Sequence, residues 1–250
     1  MITGFVPLRG HPLRSPTPVH WPDEAVRARS LAKYRRRAAG YDASCGPTWP
    51  IRRRTVAALG LQPGQRVLDV GCGTGLSLAL LREGVGEDGV VYGFDQCPEM
   101  LAQARRRVQA AGWRNVHLFE VPAQALRLPD AVDALLLHYT HDILRSPCAI
   151  EALVACGREG AAVAIAGIKY FPWWLAPLNA WVYYKNYGYN GAPGELKSPW
   201  RRIAPHLDGW QLTPTQFGMG YIGSGRLRRL AAGPSPGAAP SPLRAGVVRA

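Results

Sequence analysis

Three stretches of this 250-residue chain carry residue types whose spacing can do chemistry. The run Val67-Leu68-Asp69-Val70-Gly71-Cys72-Gly73-Thr74-Gly75 sets an acid two positions before a Gly-x-Gly-x-Gly turn. Glycine lets the backbone pass close to a ligand where a Cβ would clash, so the run predicts a loop that cradles a nucleotide-like molecule. A dinucleotide fingerprint would need a further glycine at position 76, which is Leu76. Asp95 stands 20 residues past Gly75 at the end of an apolar run, where its carboxylate can accept hydrogen bonds from both hydroxyls of a ribose. The third stretch is Leu137-His138-Tyr139-Thr140-His141-Asp142. Here a His–Asp pair can take a proton from oxygen or nitrogen, with Asp142 fixing the tautomer of His141 and Tyr139 beside them.

The elements that must position these groups follow from hydrophobic patterning. Strands are predicted over 66–70, 90–94, 116–120, 134–138 and 161–166, with helices over 49–59, 76–82, 98–111 and 147–156. Strands separated by helices of that length indicate βαβ units and a parallel sheet. Ser198-Pro199-Trp200 leads into a short predicted helix, and Trp210 to Phe217 with Tyr221-Ile222 forms a closing hairpin. Ahead of the first strand, Pro-rich residues 1–22 read as an irregular arm and 23–60 as helical. The Pro-, Gly-, Ala- and Ser-rich end, 229–250, reads as a disordered tail.

The glycine run, Asp95 and Gln96-Cys97-Pro98-Glu99-Met100-Leu101 together resemble the class I S-adenosylmethionine-dependent methyltransferases over roughly residues 30–170. The resemblance implies an α/β Rossmann-like fold, a mostly parallel sheet closed by an antiparallel C-terminal hairpin, within a domain spanning 61–228. It implies S-adenosylmethionine as methyl donor and S-adenosylhomocysteine as product. The cofactor-binding set it implies is Asp69, Gly71, Cys72, Gly73, Gly75, Asp95, Gln96, Met100, Ala123 and His138, with no metal. Where the family usually carries Asp-Ala to read the adenine, this chain has Pro122-Ala123, leaving Gln124 or Glu120 to meet the amino group. The segment from Tyr34 to Asp42 resembles the helical lid of the small-molecule and quinone-methylating branch, with Tyr41 sealing the donor pocket. An aromatic insert over about 169–200 follows the fifth strand, and Lys169, Trp173 and Trp174 are the expected acceptor-pocket residues there.

Charge narrows the acceptor. The formal net charge is +13, but residues 1–60 hold 11 basic and 3 acidic side chains, residues 226–250 hold five Arg and no acid, and 61–225 is neutral. A neutral catalytic stretch does not call for a polyanion, so no nucleic-acid partner is expected. A small apolar or aromatic acceptor suits the insert. A phospholipid methyltransferase at the membrane surface is the second reading, and an RNA or protein methyltransferase ranks below both. The cationic flanks suit peripheral contact with an anionic membrane. Five cysteines without a C-x-x-C pair predict reduced thiols, and the N-terminus lacks the apolar stretch of a signal peptide, so the expected location is cytoplasmic, at most peripheral to the inner membrane face.

Overall fold

The computed structural model describes residues 31–32, 34–36, 38–171, 175–186 and 196–228. The predicted arm, the tail, and Trp173 and Trp174 lie outside the described residues.

A seven-stranded sheet runs in the order β3-β2-β1-β4-β5-β7-β6. Strands β1 (Arg66–Val70), β2 (Val90–Asp95), β3 (Val116–Glu120), β4 (Val132–His138) and β5 (Gly157–Ile168) are mutually parallel. Strand β7 (Gly220–Leu227) inserts antiparallel between β5 and β6 (Leu207–Thr215), giving the Rossmann-like sheet with its antiparallel hairpin. Helices α1 (Trp49–Ala57), α2 (Leu78–Val85), α3 (Pro98–Ala110), α4 (Pro147–Cys156) and α5 (Ala176–Asn186) complete the frame.

The apolar runs form strands because a parallel sheet is covered on both faces. Period-2 alternation then sends Leu68, Val70, Leu135, Leu137, Val163 and Ile165 into one core with Ile150 and Leu153 of α4. Val67, Ala134, Leu136, Ala162 and Ala164 enter the other core with Leu78 and Leu81 of α2 and Leu101 of α3. Both α3 and α4 start on a proline whose missing N–H would lack an intrahelical partner anyway. Ser146 caps α4 by accepting a hydrogen bond from the Ala149 amide at 3.3 Å.

The observed elements depart from the predicted ones at their ends. Strand β4 begins two residues before position 134, and β5 extends past both ends of 161–166. Helix α2 starts at Leu78 rather than 76, because turn geometry continues through Leu76 and Ser77. The helix predicted beyond Ser198 is instead a series of turns with one 3-10 turn at Ala204–His206, where Pro199 and Pro205 remove two amide donors.

Leu136, with no exposed surface, sits in the middle of the sheet. Leu136→Ala is expected to lower stability by about 2–5 kcal/mol, read as a reduced urea midpoint at unchanged slope.

Candidate active site

Strand β1 stands between β2 and β4, so the chain leaves the sheet in opposite directions on either side of it and opens a crevice at the strands' carboxyl ends. A cavity of about 490 Å³ fills this crevice. Gly71 and Gly73 line it, at φ values of 61° and 57° that a side chain would strain. A Cβ built on Gly73 meets no atom within 4 Å, so it would project into open space. Asp95 holds the loop in place. Its Oδ2 accepts the Gly73 amide at 2.9 Å and its Oδ1 accepts the Cys97 amide at 2.8 Å, joining the glycine loop to the start of α3. An ionised carboxylate has four acceptor positions, so acceptor capacity remains for a ligand. Gln96, Met100 and Ala123 also line the cavity.

Not every residue of the glycine run faces the cavity. Gly75 is a packing residue in this structure: a Cβ there would lie 2.7 Å from Leu78 Cδ1 and 3.3 Å from the Ala104 backbone. Cys72 is buried against Gly93, donating its amide to the Phe94 carbonyl at 2.8 Å. Neither residue belongs to the cavity lining.

A set of buried polar groups surrounds the loop. Asp69 is 2% exposed, and its Oδ2 has no hydrogen-bond partner among the described residues. Burial pushes its carboxyl up to about 7, against the pull of Arg52. Arg52 of α1 is 8% exposed and lines the cavity, and burial lowers its guanidinium below the usual range. Its Nη1 donates to Ser77 Oγ at 2.5 Å while Nε has no partner among the described residues. His138 lines the cavity with both ring nitrogens buried and without a partner among the described residues, and desolvation holds it neutral, well below the ordinary imidazole range. Sequence reasoning missed Arg52. The signal available was position, since α1 buries Ile51, Arg52, Thr55 and Val56 on one face.

Beyond the end of β4 the cavity is walled by Tyr139, His141 and Asp142, with Ile168, Gln216 and Met219 beside them. Tyr139 sits in the left-handed region at φ 61°, and its ring meets His138 edge-on at 4.9 Å. Burial pushes its phenol up to about 12, so it stays protonated. His141 Nε2 accepts the Ile168 amide at 3.3 Å, which leaves the proton of the neutral ring on Nδ1. Asp142 Oδ1 pairs with Arg145 at 3.3 Å. Lys169 is not among the lining residues, and its ammonium donates to the Tyr170 carbonyl at 3.5 Å.

Residues between Tyr34 and Arg52 close the opposite side, where Tyr34, Tyr41, Cys45 and Thr48 face the cavity. Burial raises the Tyr41 phenol well above its usual range. This segment is fastened to α3 by three residues spaced four apart. Glu99 pairs with Arg35 at 3.1 Å, Gln103 donates to the Ala38 carbonyl, and Arg107 pairs with Asp42 at 2.7 Å. Asp42 also accepts from Thr74 Oγ1 at 2.5 Å, tying the segment to the glycine loop itself.

The comparisons with known proteins agree with this geometry. A family model described as a methyltransferase domain matches residues 67–158. Aklanonic acid methyltransferase DauC of Streptomyces sp. (strain C5) is 35% identical over 104 residues, which are 42% of this chain and 47% of that protein. The chain thus spans less than half the length of that relative. Phosphatidylethanolamine N-methyltransferase of Cereibacter sphaeroides is 34% identical over 140 residues, which are 54% of this chain and 67% of that protein. The chain belongs to the class I S-adenosylmethionine-dependent methyltransferases. The fold of this methyltransferase also matches the N-methyltransferase NodS from Bradyrhizobium japonicum WM9, solved in complex with S-adenosyl-L-homocysteine. The TM-score there is 0.60 at 14% identity, covering 80% of this chain and 98% of that one.

S-adenosylmethionine is the methyl donor of this family. The residues present fit it: the space before Gly73 is open, and two buried atoms without a partner among the described residues, Arg52 Nε in the lining and Asp69 Oδ2 behind it, suit a zwitterionic end.

Two predictions follow from the electrostatics. With its carboxyl near 7 in the fold and about 4 unfolded, Asp69 binds a proton more tightly in the folded state. Stability without cofactor should therefore fall as pH rises from about 4 to 7, and Asp69→Asn should flatten that slope in melting scans. Arg107→Ala removes one of the fastenings on Asp42, and stopped-flow displacement should show S-adenosylhomocysteine leaving roughly 2–10-fold faster, the scale of a half-exposed ion pair with an added hydrogen bond.

Proposed function

We propose that this methyltransferase transfers a methyl group to a small apolar or aromatic acceptor seated against the wall that Tyr139, His141, Ile168 and Met219 line. The observation that carries the reading is the single cavity running from Asp95 and Met100, past Gly73, to Tyr139, His141 and Met219. S-adenosylmethionine, when bound, supplies an electrophilic methyl on a sulfonium.

The rest is done by the chain. Asp95 holds the ribose hydroxyls with its remaining lone pairs, and Met100 with Ala123 packs about the base. Gln124 lines the cavity, whereas Glu120 is engaged with Arg105 at 3.3 Å outside it. Gln124 is therefore the group that meets the adenine amine in place of the missing acid. Asp69 and Arg52 take the ammonium and carboxylate of the methionyl end, which gives Asp69 Oδ2 and Arg52 Nε the partner that neither has among the described residues. Tyr139, His141 and Asp142 position the acceptor. With Nε2 engaged by Ile168, His141 contributes an Nδ1–H donor, and the rate rests on alignment of the acceptor atom rather than on a strong base. Tyr41 and the segment around it exclude water from the transfer.

A phospholipid acceptor is the second reading, favoured by the similarity to the Cereibacter sphaeroides enzyme over two thirds of that protein's length. Assays with labelled S-adenosylmethionine against phosphatidylethanolamine vesicles and against soluble polycyclic phenols separate the two by which product carries label.

Calorimetry tests the cofactor set. Asp95→Ala is expected to weaken S-adenosylhomocysteine roughly 10–100-fold, the value of one or two hydrogen bonds to a charged group, and Gly73→Arg to abolish binding. His141→Ala should reduce turnover by at least about tenfold while S-adenosylhomocysteine affinity stays within about twofold, the pattern of lost acceptor alignment. Equal loss in both measurements would remove His141 from the acceptor side.

A further inference from the structure

We infer that helix α5 and the β6–β7 turn form a docking face for an anionic lipid surface, through which the acceptor reaches the cavity. The inference deepens the acceptor reading above and rests on it for what the site receives.

Among the described side chains of α5, only Val182 is fully buried, while Leu178, Trp181 and Tyr183 are each about half exposed and Tyr184 is 82% exposed. Phe217, on the β6–β7 turn, is fully exposed. Its presentation is held by unusual backbone: Gln216 and Phe217 are consecutive non-glycine residues in the left-handed region, at φ 48° and 56°. That conformation is one a side-chain-bearing residue seldom adopts. Its result is to turn Gln216 and Met219 into the cavity wall while Phe217 points outward between them.

Helix α5 belongs to the same surface. Asn179 accepts the Phe171 amide at 2.8 Å and donates to its carbonyl at 3.0 Å, and the Phe171 ring lies 3.5 Å from the Cβ position of Gly218. The outward aromatics and the cavity wall therefore share one short stretch of backbone. No helix among the described residues is long and apolar enough to cross a membrane, so this face can lie on a bilayer but not span it.

Composition and charge select the occupant. Trp and Tyr carry an apolar ring with a polar edge, the combination favoured at headgroup depth rather than in a dry core. Residues 169–202 contain five basic side chains and one acidic one, and three of the chain's four lysines, Lys169, Lys185 and Lys197. The Tyr170 amide donates to the Leu196 carbonyl at 2.9 Å, which brings the Lys197 segment beside Lys169. The net positive, aromatic composition of this stretch complements an anionic interface, whereas pairing with a second copy would bring like charges together.

The test is co-flotation of the full chain with vesicles of equal parts phosphatidylglycerol and phosphatidylcholine, beside the variant W181S/Y184S/F217S and the single variant F217S. The wild type should float, the triple variant should lose partitioning on the order of tenfold or more, and F217S should fall between them. S-adenosylhomocysteine affinity by calorimetry should be the same in all three, since none of these residues is assigned to the cofactor or acceptor. Wild-type floating that survives the substitutions would assign membrane contact to the cationic flanks and overturn the inference. So would absence of floating, or a sedimenting dimer that the substitutions dissociate. Unimpaired vesicle binding with no S-adenosylhomocysteine binding would instead overturn the functional reading alone.

Discussion

Three adjacent parallel strands ending in step set the conditions for everything else in this molecule. Val70 of β1 stands opposite Phe94 of β2 and Leu137 of β4. The next residues of the three strands, Gly71, Asp95 and His138, therefore emerge side by side at one edge. A slip of one residue in either pairing would turn each strand's buried set to the wrong core and carry its site residue to the wrong side of the sheet. The register is protected because both faces are packed, so the cores that stabilise the fold also fix the relative position of groups far apart in sequence.

The chemistry sits where that packing stops short of satisfying polar groups. Asp69, Arg52 and His138 are buried to nine tenths or more, yet each has a polar atom without a partner among the described residues. An unpaired buried ion costs several kcal/mol, and the fold bears this cost beside a cavity, where a ligand of the right charges relieves it. Asp69 and Arg52 remain within reach of mutual attraction without forming an ion pair, which keeps both available. Asp95 differs: its hydrogen bonds to Gly73 and Cys97 are already made, so it organises the loops before it meets any ligand.

The frame was legible because valine- and leucine-rich strands alternate with helices begun by proline, and the glycine run marks the switch between them. Residue-level roles were less legible. Gly71, Gly73 and Gly75 look equivalent in sequence, but the first two face the cavity and Gly75 faces Ala104, a difference set by tertiary contacts. Arg52 belongs to an Arg52-Arg53-Arg54 triplet whose members are indistinguishable by type, and only the face of α1 turned toward the sheet selects the inward one. Lys169 follows β5 directly, yet its ammonium turns to a neighbouring carbonyl, which no spacing rule would reveal. The tautomer of His141 is likewise set by an amide 27 residues away on β5.

Helix α3 carries Glu99, Gln103 and Arg107 along one stripe, and each holds a different point of the segment that covers the cavity. Each residue of a helix advances the next by about 100°, so one inserted or deleted residue between Glu99 and Arg107 would swing part of the stripe out of reach. Its other face meets the sheet through Leu101 and Ala104. Val108 packs against the same core, so α3 is bound in length from two sides as far as that residue, and only Gln109 and Ala110 lie past it. Natural or engineered change in the size of this helix has room only at its far end, away from the site.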